Sequence, residues 1–562
     1  MVPFLNFVNS MNKNSALRRA VFLLLAANLA LGIGYIAILP PWEGFDETAH
    51  YSSLQQIADT KTIPKYGSAR ISRDVETYSE YAPIPYSGHL PVEQNGGFTY
   101  KSFFESNTGI IQRGSNYINS DPITPRNFIK GEKFNWQSQH PPLYYLIVAP
   151  VYLVTKNLSW LKQLFVLRLL SYFFAWSALA VGAFTCLPEL KGSVDRDGYS
   201  LPVWVLTGLG FWPLIFPSWF SDMARIGNDS LCALLISLIW LVLLKFKNDA
   251  PAKLYIILGI LFGIGCLIKA FFIPIIAGLF VYLFLYRWKK EGRAGIKSNL
   301  LYLLLTLSIA AIISGWWYFM NWYNYGVILG SDEMIRLKTA GGLLTNLFKN
   351  FSLLAWLRGN AAAITTFAWA GTWSFARPPY LFLVLMTLTV LFAAGIYLYA
   401  VHHYNLIRFE WLPAWFTLPV IAGFGYHILI RIALIGEGRG TGGYYLHILV
   451  VPLIFALGIG LKNIWKIKAI RISGMILAVY AIIFSTILFF CQIWLYTGIM
   501  HIAGNRKFYQ LSDGFDSLFN IPEILSRLDV IGFPYLSLLF LISGLILLIS
   551  GFRLLSVNRI RD

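Results

Sequence analysis

Charge is what this chain has least of. Only 13% of its 562 residues are Asp, Glu, Lys or Arg, against 57% hydrophobic and 16% aromatic, and the mean hydropathy is +0.59. Soluble globular domains carry roughly a quarter charged residues, so that class is excluded. Cysteine is scarce too. Cys186, Cys232, Cys266 and Cys491 all lie in or beside apolar runs, which reads as core packing and implies neither a disulfide framework nor a zinc site. Acids are the rarer sign of charge, 27 against 45 Lys and Arg, a net +18. The basic excess sits in short loops between apolar runs, the pattern of cytoplasmic membrane loops and not of a nucleic-acid face. Those loops also lack a phosphate-binding glycine motif, so no P-loop or Rossmann turn is there to hold a soluble nucleotide.

What is present is a succession of apolar runs of about 20 residues, the length that crosses a hydrocarbon core of about 30 Å. The chain reads as an all-α polytopic membrane protein. Lys13, Arg18 and Arg19 precede a run from Val21 to Leu39 that is too long for a signal peptide and lacks its small-residue cleavage pattern, so it is expected to be a retained first span. A polar segment of about 100 residues follows, from Pro40 to His140, far longer than an ordinary connection and therefore functional. The apolar piece 143–155 is short for a span, and whether it crosses decides the topology of all that follows. If it does not, spans near 17–39, 165–186, 201–220, 230–246, 253–268, 270–286, 298–320, 380–401, 411–430, 442–461, 472–497 and 533–552 place Lys191, Arg196, Lys245, Lys247, Lys253, Arg287, Lys289, Lys290, Arg293, Lys297, Arg408, Lys462, Lys466, Lys468, Arg471, Arg553, Arg559 and Arg561 in the cytoplasm. The opposite short loops keep only Arg225, Lys269, Arg431 and Arg439. Letting 143–155 cross would invert every assignment against the positive-inside rule. The expectation is twelve spans, both termini cytoplasmic, and a half-buried segment after His140. Residues 1–500 would form the catalytic region, with external loops 40–140 and 321–378, and 501–562 an external loop plus the last span.

Every polar cluster of note then faces outward. Pro40-Pro41-Trp42-Glu43-Gly44-Phe45-Asp46-Glu47-Thr48-Ala49-His50 puts two adjacent carboxylates and a histidine at the end of the first span. A helix beginning after Pro41 would set Asp46 and His50 on one face, and Glu47 with Tyr51 on another. Acids at the first turn of an interfacial helix over 46–60 account for the same pattern. Arg168 opens the second span and either pairs with an anion or snorkels. Ser221-Asp222-Met223-Ala224-Arg225-Ile226-Gly227-Asn228-Asp229 packs two acids and an arginine at an outer mouth, where Asp229 alone reads as a helix cap. Lys269, the one cation between two short apolar runs, either binds a lipid phosphate or marks a hairpin turn. Trp316, Trp317, Trp322, Tyr323 and Tyr325 read as an aromatic belt or as a sugar-stacking surface. In Glu437-Gly438-Arg439-Gly440-Thr441-Gly442-Gly443-Tyr444 the glycines allow close backbone approach to a ligand, and Arg439 has the planar fork that suits phosphate; a plain tight turn fits equally well. His402 and His403 are adjacent and share no helical face, and are given no role.

In their order these motifs resemble the GT-C superfamily of integral-membrane glycosyltransferases, in particular the bacterial relatives of protein O-mannosyltransferases and of lipid A aminoarabinose transferases. The resemblance is carried by Phe45-Asp46-Glu47-Thr48-Ala49-His50 after the first span, His140-Pro141-Pro142-Leu143 ending the first external loop, Arg168, Asp229, and a Gly438-Arg439 turn with Tyr444, spread over residues 40–450. The histidine stands one residue later than in the mannosyltransferases, and no cation follows Pro142. The resemblance implies transfer of a sugar from a polyprenyl-phosphate donor to a glycan, lipid or protein acceptor at the outer face of a prokaryotic cytoplasmic membrane. It implies Asp46 as base with Glu47 or His50 orienting it, Arg168, Lys269 and Arg439 at the donor phosphate, and His140, Asp222, Arg225, Asp229 and Tyr444 at the substrate. Some members use a divalent cation, which Asp46, Asp222 and Asp229 would hold, and some do not. The rivals are a flippase for a lipid-linked saccharide, disfavoured by the absence of an internal repeat, and a ligase or polymerase using a lipid diphosphate.

Overall fold

The computed structural model describes residues 2–85, 97–186, 201–246, 251–404, 406, 408–500, 502–503, 508–509, 514 and 520–560. Lys191, Arg196, Lys247 and Arg561 of the expected basic loops lie outside the described residues, as does much of 501–520. The helices are α1 (Val2–Ile38), α2 (Glu47–Thr60), α3 (Arg73–Thr77), α4 (Tyr100–Phe104), α5 (Thr108–Asn119), α6 (Leu143–Thr155), α7 (Trp160–Thr185), α8 (Leu201–Ile215), α9 (Ser218–Met223), α10 (Asp229–Leu244), α11 (Ala252–Cys266), α12 (Phe272–Tyr325), α13 (Asp332–Thr339), α14 (Leu343–Asn350), α15 (Leu353–Ala368), α16 (Tyr380–His403), α17 (Leu412–Ile435), α18 (Val450–Ile464), α19 (Lys468–Tyr496), α20 (Ile521–Ile531) and α21 (Pro534–Ile560). The only strands among the described residues are two short antiparallel pairs, Arg70–Ser72 with Lys130–Phe134 and Ile502–Ala503 with Phe508–Tyr509. The protein is an all-α polytopic membrane bundle, and each of the twelve expected apolar segments is helical.

Eight of those helices are long and apolar enough to span a bilayer, while 203–215, 229–244, 252–266 and 272–285 are shorter. Pro40 and Pro41 end α1, because proline cannot donate the next helical bond and disfavours helical backbone before it. Helix α21 runs antiparallel along α1: Gly34 meets Leu541, Leu31 meets Gly544 and Leu24 meets Gly551. The start of α1 and the end of α21 therefore lie at the same end of the bundle, as an even number of crossings requires.

Helical backbone continues unbroken through the 54 residues of α12, which would stretch about 80 Å if straight. Packing shows that it is not straight. Gly265, in the last turn of α11, abuts Phe272, and the Tyr318 hydroxyl donates to the Cys266 carbonyl at 2.8 Å. At the far end of α11, Tyr255 stacks on Tyr302 at 4.9 Å. With Phe280 also against Phe262 at 6.4 Å, both legs of α12 lie along the same helix, the chain reversing between 285 and 300; the second leg, Leu300–Tyr325, is long enough to span, and the first, Phe272–Leu285, is shorter.

Helix α6 lies beside α2 and runs in the same direction. Tyr145 meets His50 near its start, and at its end Tyr152 donates to Asp59 at 3.1 Å while Lys156 reaches Asn127 at 2.8 Å. Both its ends lie among residues of the first loop, the geometry expected of a segment that does not cross. Helix α2 differs from the interfacial helix expected there. Ten of its fourteen residues are buried, because the rest of the first loop folds over it and presses it onto α6 and α7.

Candidate active site

The turn between α1 and α2 is strained. Trp42 and Asp46, neither of them glycine, have φ of 70° and 57°, a left-handed conformation that costs about 1–3 kcal/mol per residue and persists only where the surroundings impose it. The Trp42 ring is wedged edge-on among Tyr51, Tyr78 and Trp160, with centroids 5.3, 5.8 and 5.2 Å away. Gly44 is required next to it, since a Cβ there would lie 2.7 Å from Cβ of Arg225. Asp46 is held from both sides: Arg225 donates to the Phe45 carbonyl at 2.7 Å, and the Asp46 carbonyl accepts from the Ala49 and His50 amides, each at 3.0 Å. Asp46 therefore precedes the helix and does not share the α2 face with His50 that helical spacing predicted. Its carboxylate accepts from the Trp136 indole at 2.6 Å and is bonded by the Gln137 side chain as well. Burial pushes its pKa above the usual carboxylate range, while the Arg225 charge pulls the other way.

Glu47, one residue on, is in the opposite condition. Arg168 holds it bidentately, Nε to Oε1 at 2.8 Å and Nη2 to Oε2 at 2.5 Å, and the Ile226 amide adds a third bond at 3.1 Å. The remaining Arg168 donors go to the carbonyls of Leu39 and Pro40. The pair is 2% and 0% exposed. This guanidinium staples the end of α1 to α2, bonding Glu47 and the carbonyls of Leu39 and Pro40, where the resemblance implied a phosphate role. Tyr51, on the same face as Glu47, donates to Gln163 of α7 at 3.0 Å, so that face binds α2 to α7.

A second buried charge chain flanks Asp46. Arg225 bridges Asp222 at 2.9 Å and Asp229 at 2.6 Å, and the Lys269 ammonium donates to the other Asp229 oxygen. Asp229 is the first residue of α10, with Asn228 at the cap position, and its carboxylate serves the ion pairs. Oδ2 of Asp222 is buried with no hydrogen-bond partner among the described residues. Lys269 also sits 4.3 Å above the Tyr445 ring and 4.7 Å from that of Phe271, a cation–π seat that leaves an ammonium near the ring faces. Among the described residues no three His, Cys, Asp or Glu side chains converge as metal ligands; Arg225 stands between the acids expected to share a cation.

Aromatic rings close the space around Asp46. Phe45 stacks on Tyr444 at 4.3 Å and Trp136 on Trp373 at 6.3 Å. His50 and His140 lie with parallel rings 6.0 Å apart, and His50 Nδ1 pairs with the Tyr145 hydroxyl at 2.8 Å. Burial lowers both imidazole pKa values, that of His140 to about 3 with Lys269 adding to the effect, so both rings are neutral. Arg439 is elsewhere. Its side chain is 59% exposed and its contact is Glu437 at 3.4 Å. Trp316, Trp322 and Tyr323 point outward at 41%, 54% and 77% exposure, as an aromatic belt does, whereas Trp317 is buried and Tyr325 is half-buried against Tyr66.

Glu43 escaped the sequence reading. It is fully buried and accepts from Tyr100 at 2.8 Å, from the Ser374 hydroxyl at 2.5 Å and its amide at 3.2 Å, and from Thr372. Its carbonyl takes the Trp373 amide at 2.8 Å. Through these bonds the segment after α15 is tied down over Asp46. The sole signal was its place three residues before Asp46, where it looked like one more acid at a helix start.

No family model and no curated protein matches the chain. Among solved structures, ArnT from Cupriavidus metallidurans bound to undecaprenyl phosphate is similar at 13% identity and a TM-score of 0.40, covering 96% of this chain and 77% of that one. Its apo form is similar at 12% identity and a TM-score of 0.36, covering 85% and 75%. The oligosaccharyltransferase AglB from Archaeoglobus fulgidus, in complex with an inhibitory peptide and a dolichol-phosphate, gives 14% and 0.30 over 79% of this chain and 55% of that one.

Proposed function

We propose that the chain is a membrane glycosyltransferase that moves a sugar from a polyprenyl-phosphate carrier to a hydroxyl acceptor, with inversion and with Asp46 as general base. The observation that carries this reading is the contrast within one turn. Asp46 has only neutral donors on its carboxylate, the Trp136 indole and the Gln137 side chain, beside two buried cations and under aromatic rings, while Glu47, Asp222 and Asp229 are each engaged in an ion pair and Glu43 by several hydroxyls. A carboxylate with its pKa raised by burial suits proton abstraction near neutral pH.

In the proposed step Asp46 takes the proton of the acceptor hydroxyl as its oxygen attacks the anomeric carbon. The bond from that carbon to the phosphate oxygen breaks, and the lipid phosphate leaves with the bonding pair. Lys269, of the three cations expected at the phosphate, is the one beside Asp46, and exchanging part of its bond to Asp229 for a phosphate oxygen would stabilise the leaving group electrostatically. The bare Asp222 oxygen would accept a sugar or acceptor hydroxyl, and the rings of Trp136, Trp373 and Tyr444 offer stacking faces. Neutral His140 and His50 would serve as hydrogen-bonding groups. In this reading both termini and the basic loops face the cytoplasm, and the site faces the exterior of a prokaryotic inner membrane.

The test is purified Asp46→Asn protein with a polyprenyl-phosphate sugar. Turnover close to that of the unaltered protein would overturn the base assignment. Movement of the lipid-linked sugar across vesicles with no new glycosidic bond would instead identify a flippase, and a released lipid diphosphate would identify a ligase.

A further inference from the structure

Helix α14 carries apolar side chains on two faces. Leu343 and Leu347 pack on Leu337 of α13 and on Ile430 and Ala433 in the last turns of α17, and Asn350 donates to the Ala433 carbonyl at 2.7 Å. That face fastens α14 to the end of a membrane span. The other face points away from the protein: Leu344 is 71% exposed, Phe348 91% and Phe351 52%, and Leu353, Leu354 and Leu357 at the start of α15 continue the patch at 51–62%. Lys349 and Arg358, both exposed, flank it. Soluble surfaces rarely keep so large a contiguous apolar patch, and a partner must cover it.

We propose that α14 and the first turns of α15 are seated in the outer leaflet of the bilayer, apolar side chains among the acyl chains and Lys349 and Arg358 at the phospholipid phosphates. Three observations commit the surface to lipid. It is attached at the end of α17, at the level where span gives way to loop. The span that carries it exposes apolar side chains of its own at Ile421 and Ile435 (48% and 59%), as a lipid-facing helix does. Its cations sit at the rim of the patch, the arrangement of an interfacial helix whose charged groups stay at headgroup depth. Residues 343–358 thus form a membrane-seated shelf and not a loop in water. The inference rests on the membrane fold and is independent of the transfer reaction.

The experiment uses the full chain in vesicles of phosphatidylcholine and phosphatidylglycerol. The four native cysteines are buried, so a nitroxide can be placed selectively at Phe348→Cys. Ile312→Cys, 81% exposed on a span, serves as the bilayer reference, and Ile123→Cys, fully exposed in the first loop, as the water reference. At 348 the label is expected to collide with oxygen more than with a water-soluble nickel chelate, as at 312. A preference for the nickel chelate, as at 123, would overturn the proposal. Should Phe348→Cys fail to purify, the same reading at Leu344→Cys decides. Raising the phosphatidylglycerol fraction is expected to deepen the label, and to leave it unmoved in a Lys349→Ala, Arg358→Ala background. An equal deepening in both would overturn the headgroup contact.

Discussion

Asp46 and Glu47 are consecutive acids at one helix start, and their surroundings have nothing in common. Glu47 is shut in by a bidentate arginine and an amide and is 1% exposed. Asp46 is turned out of the helix by its left-handed backbone and keeps only neutral donors, the Trp136 indole and the Gln137 side chain. The difference teaches that a charge pair in sequence divides its labour in space. One carboxylate holds α1, α2 and α7 together, and that rigidity lets the other stand on a strained backbone without an ion pair of its own. Strain concentrated at a site is held by the structure around it.

The comparison breaks most sharply on exchange of the two acids for their amides. Asp46→Asn should lower turnover by about 10²–10⁴-fold, the worth of a general base, with the melting temperature of the same detergent-purified sample nearly unchanged. Next in size, Arg168→Ala should cost about 3–5 kcal/mol of stability by leaving Glu47 buried and unpaired, read as a fall in melting temperature and yield. A double Glu47→Leu, Arg168→Leu exchange should recover much of it. Were Arg168 a phosphate ligand, the single variant would melt normally and lose donor affinity.

Smaller effects sharpen the picture. Glu43→Gln removes a charged acceptor from Tyr100, Thr372 and Ser374. It should cut turnover about tenfold, the rate equivalent of about 1.4 kcal/mol, with a wider spread of conformations for 369–376 in hydrogen exchange. The pH profile tests Asp46 from another side. A base is active in its deprotonated form, and a folded pKa above the ordinary range means activity lost as pH falls through that raised value. Trp136→Phe removes a donor that favours the charged form, so the acid limb of the profile should move to higher pH. Arg439→Ala should be the smallest change. An exposed arginine with one long contact is worth about 0–1 kcal/mol, and donor KM should stay within about twofold.

Much of the scaffold was legible beforehand because it follows from composition and spacing. Apolar runs of span length and the basic asymmetry of the loops led to twelve apolar segments, each of them helical, and to a short α6 whose ends lie among residues of the first loop. The candidate site was legible in part. Asp46, Lys269, Asp222, Arg225 and Asp229 come together, as do His50 and His140, and Tyr444 stacks beside them. Arg168, Lys269 and Arg439 were equivalent candidates in sequence, each a cation on the outward side. Only the partner in the folded chain separates them: Glu47 across the bundle for Arg168, the neighbouring Glu437 for exposed Arg439, and Asp229 with an aromatic face for Lys269.

Local physics thus settled which segments are helices and which stretches hold polar residues, since hydrophobic length and backbone chemistry act on neighbours in the chain. Long-range packing settled the rest. The reversal within α12, the burial of α2, the outward face of α14 and the tie from Glu43 to residues 372–374 each depend on contacts between segments far apart in sequence. The free energy that decides whether a buried carboxylate is paired or left open resides in those contacts.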